Sequence, residues 1–198
     1  MLKIGLTGGI GSGKTAASEH FAKLGAAVID TDLLSRELVE PGQPALTEIV
    51  DAFGPGIIDA DGRLDRGALR ARVFADVAAR KRLEQILHPK IRATMLERAR
   101  RSEAPYVVFV IPLLFETGQQ ALVDRVLVID VPESVQRSRV AQRDQLDATE
   151  LDAIFRAQTD RQTRLRQADD VIRNDGSIEN LHAAVEELHR QYLRQVED

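Results

Sequence analysis

The chain contains 198 residues, of which 43% are hydrophobic and 29% are charged, a balance typical of a folded domain with one sizeable core and not of a disordered chain. Its 27 basic and 31 acidic residues give a net charge of −4, which does not favour duplex DNA or an anionic membrane as a partner. The absence of cysteine excludes disulfides, thiolate nucleophiles and zinc–thiolate sites and fits a reducing compartment, so the cytoplasm is the expected location. No uncharged run approaches the roughly 18 to 20 apolar residues that a membrane span requires.

The first elements in the chain are a strand, a glycine-rich turn and a helix. Apolar residues alternate with other residues from Leu2 to Leu6, which predicts a short strand ending near Thr7. After Lys14, apolar residues recur every three or four positions, as in a helix, and Gly25 stands where that helix would end. The N-terminal segment is therefore expected to belong to the fold and not to be a secretory signal.

Four further runs are predicted to be strands, with helical sequence between them. Their apolar residues are continuous and do not alternate, as in strands that helices cover on both faces. The order of strands and helices predicts an α/β fold, a three-layer α/β/α arrangement with a mostly parallel five-stranded sheet. The four runs are Ala27 to Asp30, Tyr106 to Ile111, Arg125 to Val131 and Asp170 to Arg173.

The segment between the second and third strands is far longer than one crossover helix needs, and we interpret it as an inserted helical lobe, from about residue 41 to 103. Its predicted helices are Asp65 to Phe74, Val77 to Leu87 and Pro89 to about Arg101, the last with proline in its favoured first position.

A closing helix is predicted from Ile178 to Tyr192, where apolar residues step by three or four. No linker indicates a second independent domain. Residues 1–40, 104–136 and 168–198 are expected to form a single core with the lobe inserted into it.

Residues 8–15, Gly-Gly-Ile-Gly-Ser-Gly-Lys-Thr, match the pattern G-x-x-x-x-G-K-[ST] of a phosphate-binding loop and lie between a predicted strand and helix. Glycines let the backbone wrap closely and direct its N–H groups at phosphate oxygens, and the helix N-terminus adds positive potential. In this pattern Lys14 reaches the β- and γ-phosphates, and the Thr15 hydroxyl helps to hold Mg²⁺. The alternative, a glycine loop that only turns the strand into the helix, does not explain the Lys-Thr pair.

Two acids leave the end of the second strand in the run Asp30-Thr31-Asp32. Ligands of open parallel sheets bind beyond the carboxyl ends of the strands, so these acids are expected on the same edge as the phosphate loop. There Asp32 could accept a proton from an attacking hydroxyl, and Arg36, one helical turn later, could pair with a phosphate of the acceptor. The alternative is that Asp30 or Asp32 caps the N-terminus of a helix.

Residues 137–166 carry seven arginines against five acids. Planar, permanently charged guanidinium groups suit the clamping of a phosphoryl group in transfer, so we interpret residues 137–167 as a mobile lid. Arg139 and Arg143 are four residues apart and share a helix face. About half of these arginines are expected to be ordinary solvated surface.

Two further segments have both a functional and a structural interpretation. The histidine of His88-Pro89-Lys90, which precedes a predicted helix of the lobe, either contacts a ligand or packs and caps. The run from Pro112 to Glu116 follows the third strand and forms either an apolar wall with one acid near the site or part of the core. No spacing of histidines and carboxylates indicates zinc, and no Ser-His-Asp arrangement stands out.

Taken together, six segments resemble the dephospho-coenzyme A kinase family, and the resemblance spans essentially the whole chain. The phosphate loop is shared by many nucleotide-binding proteins, but the acidic run with its arginine, the His-Pro segment and the Asp-Asp-Val-Ile-x-Asn segment are together specific. The resemblance implies a P-loop NTPase fold and transfer of the ATP γ-phosphoryl group to the ribose 3′-hydroxyl of dephospho-coenzyme A. The segments are Gly8–Thr15, Asp30–Arg36, Leu87–Ile91, Ile111–Glu116, Gln142–Asp144 and Ala168–Asn174.

The resemblance also implies roles by position. Asp32 would be the general base, Arg139 the lid arginine nearest the transferring phosphate, and Asn174 would lie near the adenine. ATP with Mg²⁺ and dephospho-coenzyme A would be the partners, with no nucleic acid, membrane or obligate protein partner. The phosphates of ATP would be bound by Gly11, Ser12, Gly13, Lys14, Thr15 and Ala16. The acceptor site would be lined by Asp32, Arg36, His88, Lys90 and Pro112.

Two positions depart from the family pattern. Thr31 stands where alanine is common, and Thr15-Ala16 stands where Ser-Thr or Thr-Thr is common. Thr15 keeps the needed hydroxyl, whereas Ala16 lacks one that could contact the α-phosphate.

Two other functions stay open at this point: a nucleoside or nucleotide monophosphate kinase, and a non-enzymatic nucleotide switch. The switch is disfavoured because the chain has no Asn-Lys-x-Asp motif for reading guanine and has Asp32 available on the acceptor side.

Overall fold

The computed structural model describes residues 1–144 and 148–197, and its centre is a sheet of five strands. They are ordered β2-β3-β1-β4-β5, and every neighbouring pair is parallel. The predicted α/β fold with a parallel five-stranded sheet is therefore confirmed. The strands are β1 (Leu2–Thr7), β2 (Ala27–Asp30), β3 (Tyr106–Val110), β4 (Arg125–Asp130) and β5 (Asp170–Arg173).

Helices connect the strands and follow the last one. In the described part of the chain, no helix is both long enough and apolar enough to cross a membrane. The helices are α1 (Lys14–Lys23), α2 (Thr31–Glu37), α3 (Pro44–Phe53), α4 (Arg66–Ala75), α5 (Val77–Arg101), α6 (Glu133–Asp144), α7 (Ala148–Ala157), α8 (Arg161–Arg166) and α9 (Ile178–Glu197). Two 3₁₀ turns cover Pro55–Ile57 and Gln119–Leu122.

One compact unit holds the sheet and consists of Met1–Asp30 together with the described residues from Ser102 onward. Helices α1 and α9 pack against each other and against the sheet. Every residue of β3 is buried, as its continuous apolar sequence predicts for a strand with neighbours on both faces. The core of this unit includes the fully buried residues Ile4, Leu6, Phe21, Tyr106, Leu127, Val185 and Tyr192.

The second compact unit, Thr31–Arg101, is helical and has a core of its own. Helix α5 packs against α2, α3 and α4. The inserted lobe was expected to begin near residue 41, whereas this unit begins at Thr31, because α2 packs against α5. Its buried core residues are Val39, Ile49, Phe53, Ile57 and Leu69.

The two helices predicted to meet at His88 and Pro89 form a single helix, so this boundary prediction was wrong. Proline removes one backbone hydrogen bond and crowds the preceding turn, at a cost of about 3 kcal/mol in a helix interior. Packing on both sides of Pro89 offsets that cost: Leu83 and Ile86 pack against the core of the unit, and Met95 is fully buried. Tertiary contacts therefore override the local signal.

Helix α3 was not predicted, although its sequence carries the signal. Pro44 stands in the first turn, and Ala45, Ile49 and Phe53 recur at a spacing of four on the buried face. The third and fourth strands also each end one residue earlier than expected, at Val110 and Asp130.

Candidate active site

The phosphate loop leaves β1, the central strand, and leads directly into α1. Gly11 and Gly13 adopt φ angles of +71° and +96°, the left-handed region that glycine reaches without strain. The ammonium group of Lys14 donates to the carbonyl oxygens of Gly8 at 2.9 Å and Gly9 at 3.1 Å. The Lys14 side chain is thus held against the loop in which a phosphate would bind.

A pocket of about 330 Å³ opens beside this loop. Two arginines of α6, Arg139 and Arg143, line it together with the loop, so the predicted shared helix face does point at the predicted anion site. Backbone N–H groups, a helix N-terminus and cations thereby surround one cavity, which suits a polyphosphate. The loop residues that line the pocket are Gly11, Ser12, Gly13, Lys14, Thr15 and Ala16.

Arg139 and Asn174 are joined to the loop and to each other. The Arg139 guanidinium donates to the Asn174 carbonyl oxygen at 3.0 Å and to the Gly11 carbonyl oxygen at 3.4 Å. The Asn174 side-chain amide donates to the Ser12 carbonyl oxygen at 2.8 Å, and Asn174 itself is buried at the end of β5. Arg139 and Asn174, which are far from the loop in the sequence, therefore support the second half of the phosphate loop.

The other arginines of the predicted lid have three kinds of surroundings: Arg137 and Arg161 form ion pairs, Arg164 is buried, and Arg156 and Arg166 are exposed. Arg137 pairs with Glu133 and Asp152, and Arg161 makes a two-pronged pair with Asp130; these hydrogen bonds raise the pKa of both arginines. Arg164 is buried, and its burial lowers its pKa from the ordinary value. Residues 145–147 of the predicted lid, and residue 198 of the predicted core, lie outside the described residues.

The structure places four of the predicted acceptor residues in the second unit. Asp32 is exposed and is the second residue of α2, so it is not the N-cap of that helix, and Arg36 is exposed one turn later. His88 is exposed in the middle of α5, and the Lys90 ammonium group pairs with Glu48 at 2.7 Å.

Pro112 belongs to the unit that holds the sheet. It follows β3 and is half-buried, and its carbonyl oxygen accepts a hydrogen bond from the Thr7 hydroxyl at 3.3 Å. Because Thr7 is the last residue before the phosphate loop, Pro112 lies beside the start of that loop.

Sequence reasoning missed three residues that contact the phosphate loop: Gln136, Gln158 and Arg164. Gln158 accepts a hydrogen bond from the Ile10 amide, and the other two lie against Gly9. No motif marks them, because each contact joins residues more than 120 positions apart.

These features define the class of the protein. A phosphate loop at the end of a central parallel strand, with a lysine and two arginines at the same pocket, is the site of a P-loop nucleotide-binding protein.

The dephospho-CoA kinase family model matches residues 2–180. Dephospho-CoA kinase from Thiobacillus denitrificans is 53% identical over 194 residues, which cover 98% of this chain and 96% of that protein. Dephospho-CoA kinase from Chromobacterium violaceum is 52% identical over 191 residues, 96% of this chain and 94% of that protein. The solved structure of dephospho-CoA kinase from Campylobacter jejuni superimposes with a TM-score of 0.74 at 27% identity and covers 98% of both chains. The chain belongs to the dephospho-CoA kinase family.

Two glycines provide a matched test of the loop geometry. Gly13 and Gly25 both have φ +96°, but a Cβ on Gly13 would lie 2.2 Å from the Asn174 side-chain nitrogen, whereas a Cβ on Gly25 meets nothing within 4 Å. Both alanine variants are expected to lose roughly 1–2 kcal/mol of unfolding free energy because the left-handed conformation disfavours Cβ, and Gly13→Ala should lose more because its Cβ displaces the buried Asn174 amide. Only Gly13→Ala should also weaken ATP binding, by about tenfold or more, since it breaks the Asn174 hydrogen bond to the loop.

Titration calorimetry with ATP and thermal unfolding of both variants make the comparison. Equal ATP affinity in Gly13→Ala and Gly25→Ala would show that Asn174 does not support the nucleotide site.

Proposed function

We propose that this kinase transfers the γ-phosphoryl group of ATP to the ribose 3′-hydroxyl of dephospho-coenzyme A, giving coenzyme A and ADP, the last step of coenzyme A biosynthesis. The observation that carries the proposal is the pocket at Gly11–Ala16 with Arg139 and Arg143, in a chain that matches dephospho-CoA kinases along nearly its whole length. The reaction uses intracellular ATP, so the cytoplasm is the proposed location. It requires no nucleic acid, membrane or protein partner.

In the proposed complex, the backbone N–H groups of Gly11–Ala16 hold the phosphates of ATP. Lys14 releases the Gly8 and Gly9 carbonyl oxygens and binds the β- and γ-phosphates, while Arg139 offsets the charge of the group in transfer. Asn174, which contacts Ser12 and Arg139, is proposed to lie near the adenine.

The residues at the pocket also fit a magnesium ion. Thr15 is the second residue of α1, is exposed and lines the pocket. Its hydroxyl therefore offers a hard oxygen ligand beside the loop that is proposed to bind the phosphates. Mg²⁺ prefers such oxygens and takes its remaining ligands from phosphates and water. When bound, the ion neutralises phosphate charge.

The acceptor is proposed to bind through the second compact unit, which contains Asp32, Arg36, His88 and Lys90, with Pro112 from the sheet unit. Asp32 takes the proton of the 3′-hydroxyl as the new P–O bond forms and the bond between the γ-phosphorus and the leaving oxygen of ADP breaks. Arg36 lies one turn along α2 from this carboxylate and pairs with an acceptor phosphate. Lys90 can also pair with an acceptor phosphate when its ion pair with Glu48 is shared or broken.

Residues 137–167 are proposed to close over the nucleotide as a lid. Closure keeps the arginines of α6, which already line the pocket, on the phosphates. It also excludes water, which otherwise competes with the 3′-hydroxyl for the phosphoryl group.

The experiment measures ADP release by the purified protein with Mg-ATP and a panel of acceptors. We expect ADP release only with dephospho-coenzyme A, and not with nucleosides or nucleoside monophosphates. Faster turnover of a monophosphate would assign the protein to another kinase class. ADP release that is the same with and without any acceptor would contradict a kinase function.

A further inference from the structure

We infer that Gln158 is a positioning residue for the phosphate loop: its side-chain oxygen holds the Ile10 amide and couples the predicted lid to the loop. The inference rests on the proposed nucleotide site and adds to it a residue that no motif marks.

The contact itself is a hydrogen bond of 3.1 Å from the Ile10 backbone N–H to the Gln158 side-chain oxygen. Ile10 lies between Gly9 and Gly11, and the pocket is lined from Gly11 onward. The N–H of Ile10 thus has an acceptor within the protein, as the N–H of Ser12 does in the Gly9 carbonyl oxygen at 3.1 Å. A backbone donor that is paired in this way keeps one loop conformation in the absence of ligand.

Gln158 is held in place through the residues that follow it. The Thr159 N–H donates to the Glu116 carboxylate at 2.6 Å, and the Thr159 carbonyl oxygen accepts from the Arg164 guanidinium. Asp160 then caps α8 by accepting from the Thr163 N–H at 2.9 Å. The backbone directly after Gln158 is therefore held at both its N–H and its carbonyl group, which limits the reach of the Gln158 side chain.

Gly9 is enclosed by side chains of α6 and α8. A Cβ on Gly9 would lie 2.4 Å from the Gln136 side-chain oxygen and 3.0 Å from an Arg164 nitrogen. Gln136 is itself anchored, because its amide nitrogen donates to the Val131 carbonyl oxygen at 2.8 Å. The first half of the phosphate loop is thus packed against α6 and α8, and the second half faces the pocket.

The position of Gln158 links this arrangement to the lid. Helix α7 ends at Ala157, one residue before Gln158, and it is tied to α6 by the Arg137 pair with Asp152 at 2.7 Å. A displacement of α7 therefore reaches the phosphate loop through the Gln158 side chain, and ATP binding in the loop favours one position of α7 in return.

Two substitutions at Gln158 and one control test the inference. Gln158→Leu removes the acceptor at similar size, and Gln158→Glu keeps an oxygen acceptor but adds negative charge beside the loop. Gln162→Leu, an exposed glutamine of α8, is the matched control. ATP binding is measured in the full-length protein by displacement of a fluorescent ATP analogue at low and high salt, together with dephospho-coenzyme A binding and thermal unfolding.

We expect Gln158→Leu to weaken ATP binding by about five- to tenfold, the effect of losing one hydrogen bond, with dephospho-coenzyme A binding within about twofold of wild type. Gln158→Glu should weaken ATP binding at low salt and recover part of the loss at high salt, because screening reduces the repulsion between the added charge and the phosphates. Gln162→Leu should match wild type.

Wild-type ATP affinity in Gln158→Leu would overturn the inference, as would equal losses of ATP and dephospho-coenzyme A binding, since these indicate general destabilisation. A salt-independent Gln158→Glu defect would also overturn it. The test of Gln158 measures ATP binding and not turnover. If the wild-type protein binds ATP but does not phosphorylate dephospho-coenzyme A, the proposed function is contradicted, but the Gln158 variants can still be compared.

Discussion

Replacing Asp32 with asparagine is expected to lower kcat by about 100-fold or more and to leave ATP affinity nearly unchanged. Asparagine keeps the size of the side chain but cannot accept the proton of the 3′-hydroxyl. Asp32 is exposed in the first turn of α2, directly after the end of β2, so its carboxylate is available to a substrate. Because the transition state of phosphoryl transfer is loose, part of the loss will come from poorer alignment of the attacking oxygen.

The control for this variant is Asp51→Asn, which removes an exposed carboxylate from α3 of the same compact unit. Steady-state kinetics with both substrates varied will separate kcat from the two KM values. Near-wild-type turnover in Asp32→Asn would leave Asp32 only the role of a first-turn acid that stabilises α2, a contribution of about 0.3–1 kcal/mol.

Replacing Lys14 with alanine is expected to weaken ATP binding and to lower kcat by about 100-fold or more, because one cation serves both the bound phosphates and the group in transfer. The Lys14 ammonium group already lies over the loop, within 3.1 Å of the Gly8 and Gly9 carbonyl oxygens. To bind a phosphate, the ammonium group has to leave these two carbonyl oxygens.

Lys23→Ala provides the matched control, since it removes an exposed lysine from the last turn of the same helix. Calorimetric ATP binding and single-turnover kinetics measure the two effects separately. Unchanged ATP affinity in Lys14→Ala would contradict the proposed phosphate contact.

The sheet and the phosphate loop were predictable because their signals are local. The continuous apolar run of β3 and the glycine pattern before Lys14 each fix a conformation within a few residues. Pro89 shows where local signals fail: the packing of Met95 and of the residues before Pro89 holds α5 together through a residue that normally ends a helix.

The arginines show a second limit of sequence reasoning. Their number predicted an anion site, but only the folded chain distinguishes Arg139 and Arg143 at the pocket from Arg161, which is paired with Asp130. Likewise, the contact of Gln158 with Ile10 joins a side chain to a backbone amide 148 residues away, and neither residue type predicts such a contact.

The position of the new phosphate in the product tests the proposed transfer to the 3′-hydroxyl most directly. The protein is incubated with Mg-ATP and dephospho-coenzyme A, and the product is examined by phosphorus–proton correlation NMR. We expect one new phosphate coupled to the proton on ribose carbon 3′, formed in equal amount to ADP. A phosphate at any other position, or inorganic phosphate as the only new species besides ADP, would contradict this proposed reaction.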